Sequence, residues 1–264
     1  MNPSETKAPE PESSSPAFER CPNCDEALTG PFCSACGQKN THPRLEAGQL
    51  MREAFAQWLN LESALVRTIR GLTRNPGALC RDYVAGRRKR YTHPFKYCLT
   101  LVALFFLVNT MLGLEIGLRV EGPTDPDAAA KTEILRDFVA THITNILFLA
   151  LPFFALGLRL VFRSAGFNVA EIYAFVLFVT GHVFLFGLLL LSLSPWVSGP
   201  WLVLLRFTVH MLFFAWAAVV FFEAQGPWGV LKAMACHVLY MFCIMGVALV
   251  LAVAKLLVMG GFEG

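Results

Sequence analysis

Charged side chains are scarce in this sequence, and the usual signatures of enzymes are missing. Of the 264 residues, 16% are Asp, Glu, Lys or Arg, whereas 55% are hydrophobic, including 23 Phe. No Walker loop, nucleophile elbow, glycine-rich dinucleotide turn or HExxH sequence occurs. The composition argues against an ordinary soluble domain, and the missing motifs give no candidate catalytic residue. A lipid bilayer is the solvent that suits this apolar surplus.

The N-terminal segment lacks the continuous apolar core of a secretory signal peptide, so we expect it to stay in the cytoplasm. Residues 1–20 are rich in Pro, Ser and Glu, which predicts a disordered tail. The eight cysteines also lack the pattern of a disulfide framework, because four lie between residues 21 and 36 and the others are scattered. That distribution indicates a metal site in a reducing compartment.

Two CxxC pairs carry the most specific signal in the chain, and they predict a zinc ribbon over residues 21–38. Eight residues separate the pairs, and Gly37 follows the second pair. Four thiolates at this spacing suit structural Zn²⁺ in tetrahedral geometry, and they leave no open position for catalysis. The alternative is a pair of redox dithiols, which normally open a helix of an α/β unit. The predicted ligands are Cys21, Cys24, Cys33 and Cys36.

Between the cysteines and the first apolar stretch, the pattern predicts two helices and a basic segment. Apolar residues recur at helical spacing over residues 45–72, which indicates an amphipathic helix that packs on the membrane or on the helical bundle. Residues 75–96 predict a short helix, begun by Asn75-Pro76 and ended by Gly86, and then a basic juxtamembrane segment. We expect lipid headgroups to contact the basic run Arg87, Arg88, Lys89 and Arg90.

Residues 97–264 predict a transmembrane helical domain. Five apolar stretches are each near the roughly 20 residues that a helix needs to cross the hydrocarbon. Basic residues precede the first stretch, flank the loop after the second stretch and lie near the loop before the fifth. This distribution predicts a cytoplasmic N-terminus and an external C-terminus. The fold class is therefore an all-α integral membrane protein with a small N-terminal zinc ribbon. The predicted spans are about 97–118, 143–162, 172–193, 201–222 and 230–259.

Several of these residues together resemble a bacterial family of multi-span membrane proteins of unknown function. The resemblance includes the zinc ribbon, Arg67-Thr68-x3-Leu72-x3-Pro76-Gly77, and Asp82-Tyr83-x2-Gly86-x-Arg88-x2-Tyr91-x2-Pro94 before a span. It covers residues 21–99 well and residues 171–182 more loosely. It implies a bacterial inner-membrane protein with a zinc-plus-helices layout, and it implies no particular activity.

Polar residues inside the predicted spans form a second candidate site, made of His182, Arg206 and His210. Antiparallel helices would place His182 and His210 at similar depth, where they could face each other. Three interpretations stay open: interhelical hydrogen bonds without a function, a proton or ion path, and ligation of haem or another metal.

These features favour a non-enzymatic docking or complex-assembly protein. Residues 21–72 would bind a cytoplasmic protein partner, while the basic segment contacts membrane lipids. We expect no nucleic-acid binding, because the cysteine module carries no basic and aromatic face. The alternatives are a small transporter or channel subunit that uses the buried His and Arg residues, and a membrane-embedded lipid-modifying enzyme.

Overall fold

The computed structural model describes residues 19–38, 40, 62–112, 126–197, 199–224 and 226–260. These residues are helical apart from turns, irregular segments and isolated β-bridge residues, which include the pair Arg20 and Ala27. A 3₁₀ turn, Arg163–Ala165, follows the fourth helix. The seven helices are α1 (Glu62–Arg74), α2 (Pro76–Val84), α3 (Pro94–Met111), α4 (Pro126–Val161), α5 (Val169–Leu191), α6 (Gly199–Phe222) and α7 (Pro227–Gly260).

Five of these helices are long and apolar enough to cross a membrane, which confirms the predicted fold class. Their apolar surface is only partly buried within the protein, as expected where lipid covers the rest. The end of the first predicted span, residues 113–118, lies outside the described residues. Helix α4 continues through Pro152 without ending there. The candidate spans are Pro94–Met111, Thr144–Val161, Val169–Leu191, Pro200–Phe222 and Pro227–Lys255.

Helix α1 packs its apolar face on the helical bundle. Leu72 is fully buried, and Leu65 and Ile69 are half-buried against the same core. Arg70 and Arg74 are exposed on the other side. Of the amphipathic helix predicted over residues 45–72, residues 45–61 lie outside the described residues, as do residues 1–18 of the predicted tail.

Helix α2 begins at a Pro-Gly pair that lets it approach the backbone of α6. The side chain of Asn75 caps the helix by accepting a hydrogen bond from the Ala78 amide at 3.2 Å. A β-carbon on Gly77 would lie 2.5 Å from Cβ of Val220 and 2.6 Å from the carbonyl oxygen of Ala217. Only glycine fits at such a distance, so the Pro-Gly pair fixes where α2 enters the bundle.

Substituting Gly77 should therefore destabilise the bundle. We expect Gly77→Ala to cost about 1–3 kcal/mol because its methyl group overlaps the α6 backbone. Gly157 in α4 is the matched control, since a β-carbon there meets nothing within 4 Å, and Gly157→Ala should be neutral or stabilise by roughly 0.5–1 kcal/mol. Thermal unfolding in detergent compares them, and equal midpoints for the two variants would contradict the close packing of α2 on α6.

Candidate functional site

The four clustered cysteines form a centre that could hold a metal ion. Their sulfur atoms all lie within 4.8 Å of one another. Cys21 Sγ is 3.6 Å from Cys36 Sγ, and Cys24 Sγ is 3.5 Å from Cys33 Sγ. Zinc–sulfur bonds of about 2.3 Å in a tetrahedron require sulfur atoms roughly 3.8 Å apart. The sulfur atoms therefore need only small shifts to hold a tetrahedral metal.

Each CxxC pair is folded as a turn that backbone hydrogen bonds close. In the first turn the Asp25 amide donates to the Cys21 carbonyl, and the Cys21 amide donates to the Glu26 carbonyl, both at 2.8 Å. Asp25 has a φ of 62°, in the left-handed region that closes such a turn. The backbone, rather than the metal alone, thus sets the position of Cys21 and Cys24.

The second turn repeats the first almost bond for bond. The Gly37 amide donates to the Cys33 carbonyl, and the Cys33 amide donates to the Gln38 carbonyl, again both at 2.8 Å. Gly37 has a φ of 68° and takes the place that Asp25 has in the first turn. The module is therefore an internal repeat of two knuckles facing each other across the four sulfurs.

The pKa values of the Cys21 and Cys36 thiols are shifted in opposite directions. Burial raises the pKa of Cys36, but hydrogen bonds from the Gln38 backbone and neighbouring side chains outweigh burial and lower the pKa to about 7. Burial raises the pKa of Cys21. Binding of a divalent metal would therefore displace protons from the other thiols, so that metal affinity rises with pH.

The side chain of Gln38 ties the cysteine module to the segment that follows α2. Its Nε2 donates to the Gly86 carbonyl at 2.5 Å, and its Oε1 accepts from the Lys89 amide at 3.3 Å. Pro22 of the first knuckle contacts the same turn, because a β-carbon on Gly86 would lie 3.3 Å from Pro22 Cγ. Both knuckles thus rest on the beginning of the basic run.

The four basic residues predicted to contact lipid have different surroundings. Arg87 is ion-paired with Asp82 at 2.7 Å, and Arg88 is half-buried. Lys89 and Arg90 are exposed. The run therefore offers two fully accessible cations, while Arg87 also holds the end of α2.

The sequence motif of residues 67–77 contacts the motif of residues 82–94. The Thr68 hydroxyl donates to the Ala64 carbonyl at 2.8 Å and accepts from the Thr92 amide at 2.9 Å. Burial, and then the Asp82 carboxylate, raise the pKa of Tyr91. The segment from Gly86 to the start of α3 is therefore fastened to α1 at Thr68 and to α2 at Asp82.

His182 joins three helices through both of its ring nitrogens. Nε2 lies 3.2 Å from the Thr73 hydroxyl, and Nδ1 lies 2.7 Å from the Tyr97 hydroxyl. The Thr73 hydroxyl donates to the Ile69 carbonyl at 2.9 Å, so it must accept from His182. These contacts suit the neutral Nε2–H tautomer of His182, in which Tyr97 donates to Nδ1. Neither nitrogen is left for His210.

Arg206 and His210 do not contact the ring nitrogens of His182, although His210 hydrogen-bonds the backbone of Val183, the next residue of α5. Both lie near a residue that the predicted site did not include. The guanidinium carbon of Arg206 is 4.9 Å from the centre of the Phe105 ring. His210 is in electrostatic range of both Arg206 and His237. His237 was missed because a single histidine in an apolar helix has no sequence signal that links it to another helix.

Comparison with known proteins gives one match. A family model described as "Protein of unknown function (DUF3667)" matches residues 62–106, which span α1, α2, the basic run and most of α3. No curated protein and no solved structure matches the chain. The match and the five apolar helices together fit a membrane protein of unknown function, and the cysteine module lies outside the matched residues.

Proposed function

We propose that this chain is a multi-pass protein of the bacterial inner membrane, in which a structural zinc site builds a cytoplasmic docking module for a partner protein. The N-terminus lies in the cytoplasm and the C-terminus outside. The observation that carries the proposal is the bridge from Gln38 to Gly86 and Lys89. Through this bridge, a metal-dependent module of about twenty residues is held in a fixed place beside the first span.

The surface of the module suits protein recognition. Phe32 is 59% exposed and directly precedes the buried ligand Cys33. An exposed aromatic ring on a small rigid module is a typical anchor of a protein interface, where such rings fill pockets of the partner. The exposed cations Lys89 and Arg90 lie near the same module. The partner that fits has an apolar pocket with an acidic rim.

Lys89 and Arg90 also contact the anionic surface of the membrane. Each exposed Lys or Arg near an anionic bilayer surface gains about 1 kcal/mol. Lys89 and Arg90 therefore hold the module close to the lipid headgroups, while Arg87 is engaged with Asp82. The docking surface is thus presented at the membrane and not freely in the cytoplasm.

The surroundings of His182 argue against this residue as a proton carrier or an acid–base catalyst. Both ring nitrogens are engaged by Thr73 and Tyr97, which suits a residue that fastens helices together. A proton carrier or an acid–base catalyst needs a ring nitrogen that can exchange its proton with a substrate or with water. His182 lacks such a nitrogen among its described contacts.

Photo-crosslinking in cells tests the docking proposal. A photoreactive phenylalanine analogue at position 32 should give a discrete crosslinked protein, and the same analogue in place of Trp228, which is exposed at the start of α7, should not. Gln38→Ala should reduce the crosslink several-fold while leaving bound metal unchanged, because it removes only the two bonds to the basic segment. Crosslinks to lipid alone, or a crosslink that persists undiminished in Cys33→Ser, would rule the proposal out.

A further inference from the structure

Three basic side chains of α6 and α7 lie in the same part of the bundle. Arg206 and His210 are one turn apart on α6, and the ring of Phe207 between them lies 6.3 Å from the ring of His237 on α7. The Arg206 guanidinium lies over the ring of Phe105 on α3. None of the ion pairs in the described part of the chain involves Arg206. The cluster therefore carries a positive charge that the described acidic side chains do not balance.

Polar atoms of this cluster are buried without hydrogen bonds to the described protein atoms. They are Nε of Arg206, Nε2 of His210 and both ring nitrogens of His237. His237 is only 5% exposed. Buried polar groups in native proteins nearly always have a partner, and the hydrocarbon offers none. The contrast with His182, whose two nitrogens are both paired, indicates that this cluster receives its partner from outside the described part of the chain.

The chemistry of the cluster selects an oxyanion. Arginine is permanently charged, and its planar fork of donors matches the oxygens of a phosphate. Arg206 is seven residues from Gly199, the first residue of α6, which is roughly 10 Å along the helix. Trp201 lies between Gly199 and Arg206 and is 67% exposed. Exposed tryptophans are typical of the membrane interface. Arg206 thus lies within side-chain reach of the phosphate layer.

We propose that Arg206, His210 and His237 form a binding site for the phosphate of an anionic phospholipid. The Arg206 fork holds the phosphate, and the histidines below it bind the ester oxygens. Leu204 and Phe207 are exposed beside Arg206, so the acyl chains lie along the outside of α6. The lipid therefore enters sideways from the bilayer and makes contacts that the protein atoms leave unmade.

Thermal unfolding of the full chain in an uncharged detergent tests the site. Phosphatidylglycerol at saturation should raise the wild-type midpoint by roughly 5 °C, whereas phosphatidylcholine and inorganic phosphate should not. Arg206→Gln and His237→Phe should lose most of this shift. Arg163→Gln is the matched control, since Arg163 is an exposed arginine on the 3₁₀ turn at the other end of the bundle, and it should keep the shift.

Two further measurements test the lipid site if one of these variants is too unstable for a thermal shift to be compared. Native mass spectrometry should find phosphatidylglycerol retained by the wild type and by Arg163→Gln and lost from Arg206→Gln, with partial retention by Arg206→Lys, which keeps the charge but not the fork. Without lipid, His237→Phe should unfold at or above the wild-type midpoint, because it removes two unpaired buried nitrogens. An undiminished shift in Arg206→Gln, or an equal shift with phosphatidylcholine, would overturn the proposal. An equal shift with inorganic phosphate would overturn the lipid as the source of the anion.

Discussion

Purified Cys33→Ser protein should contain almost no zinc, whereas the wild type should contain about one equivalent per chain. Cys33 is buried, and its Sγ lies 3.5 Å from Cys24 Sγ, so a hydroxyl at this position leaves three ligands and a distorted centre. Structural zinc sites of small modules contribute roughly 10–16 kcal/mol to folding near neutral pH. A module of two knuckles with little apolar core cannot fold without that contribution.

Elemental analysis and limited proteolysis measure both consequences. Loss of the metal should unfold the cysteine module. Trypsin should therefore cut after Arg20 far faster in Cys33→Ser than in the wild type. Cys243→Ser is the matched control, because Cys243 is an exposed thiol on α7 and its loss should change neither reading. A wild-type level of zinc in Cys33→Ser would exclude the four-cysteine centre, and a wild-type protein that carries zinc but is cut equally fast would exclude its structural role.

The parts of the structure that the sequence predicts are those that depend on neighbours along the chain. Apolar runs of about twenty residues predict the five spans, because the thickness of the hydrocarbon sets the length of a helix that crosses it. The four-cysteine cluster is predictable in the same way, since two CxxC turns place their sulfurs by local backbone geometry. The Asn75 cap and Pro76 likewise depend only on adjacent residues.

The contacts that join distant segments could not be predicted. Gln38 looks like an ordinary polar residue at the end of the module, yet its amide holds Gly86 and Lys89. The partners of His182 are Thr73 and Tyr97, about a hundred residues earlier in the chain. A threonine and a tyrosine in helices are too common to indicate a pairing, and nothing local distinguishes His182, which is satisfied, from His237, which is not. Which polar side chains form a site is decided by helix packing.

The second large effect is expected for His182→Ala. The substitution removes a fully buried ring that stacks on Phe213 at 5.0 Å, and it leaves the Tyr97 hydroxyl buried without its acceptor. A cavity of this size and one unpaired hydroxyl together should cost about 3–5 kcal/mol, which lowers the unfolding midpoint by roughly 10 °C. His142→Ala is the matched control, because the hydrogen bond of His142 among the described residues goes to the Phe138 carbonyl one turn earlier in its own helix, and its loss should have little effect.

A double-mutant cycle with Tyr97→Phe separates a structural role of His182 from a role in proton transfer. If the 2.7 Å bond to Tyr97 fastens α3 to α5, the double variant should be less destabilised than the sum of the single variants, because each single change already breaks the same bond. His182→Gln should recover part of the stability, since its amide can donate to Thr73. Full stability of His182→Ala, together with a loss of pH-dependent flux in proteoliposomes, would instead indicate that the imidazole carries protons. The neutral tautomer fixed by Thr73 and Tyr97 leads us to expect the structural result.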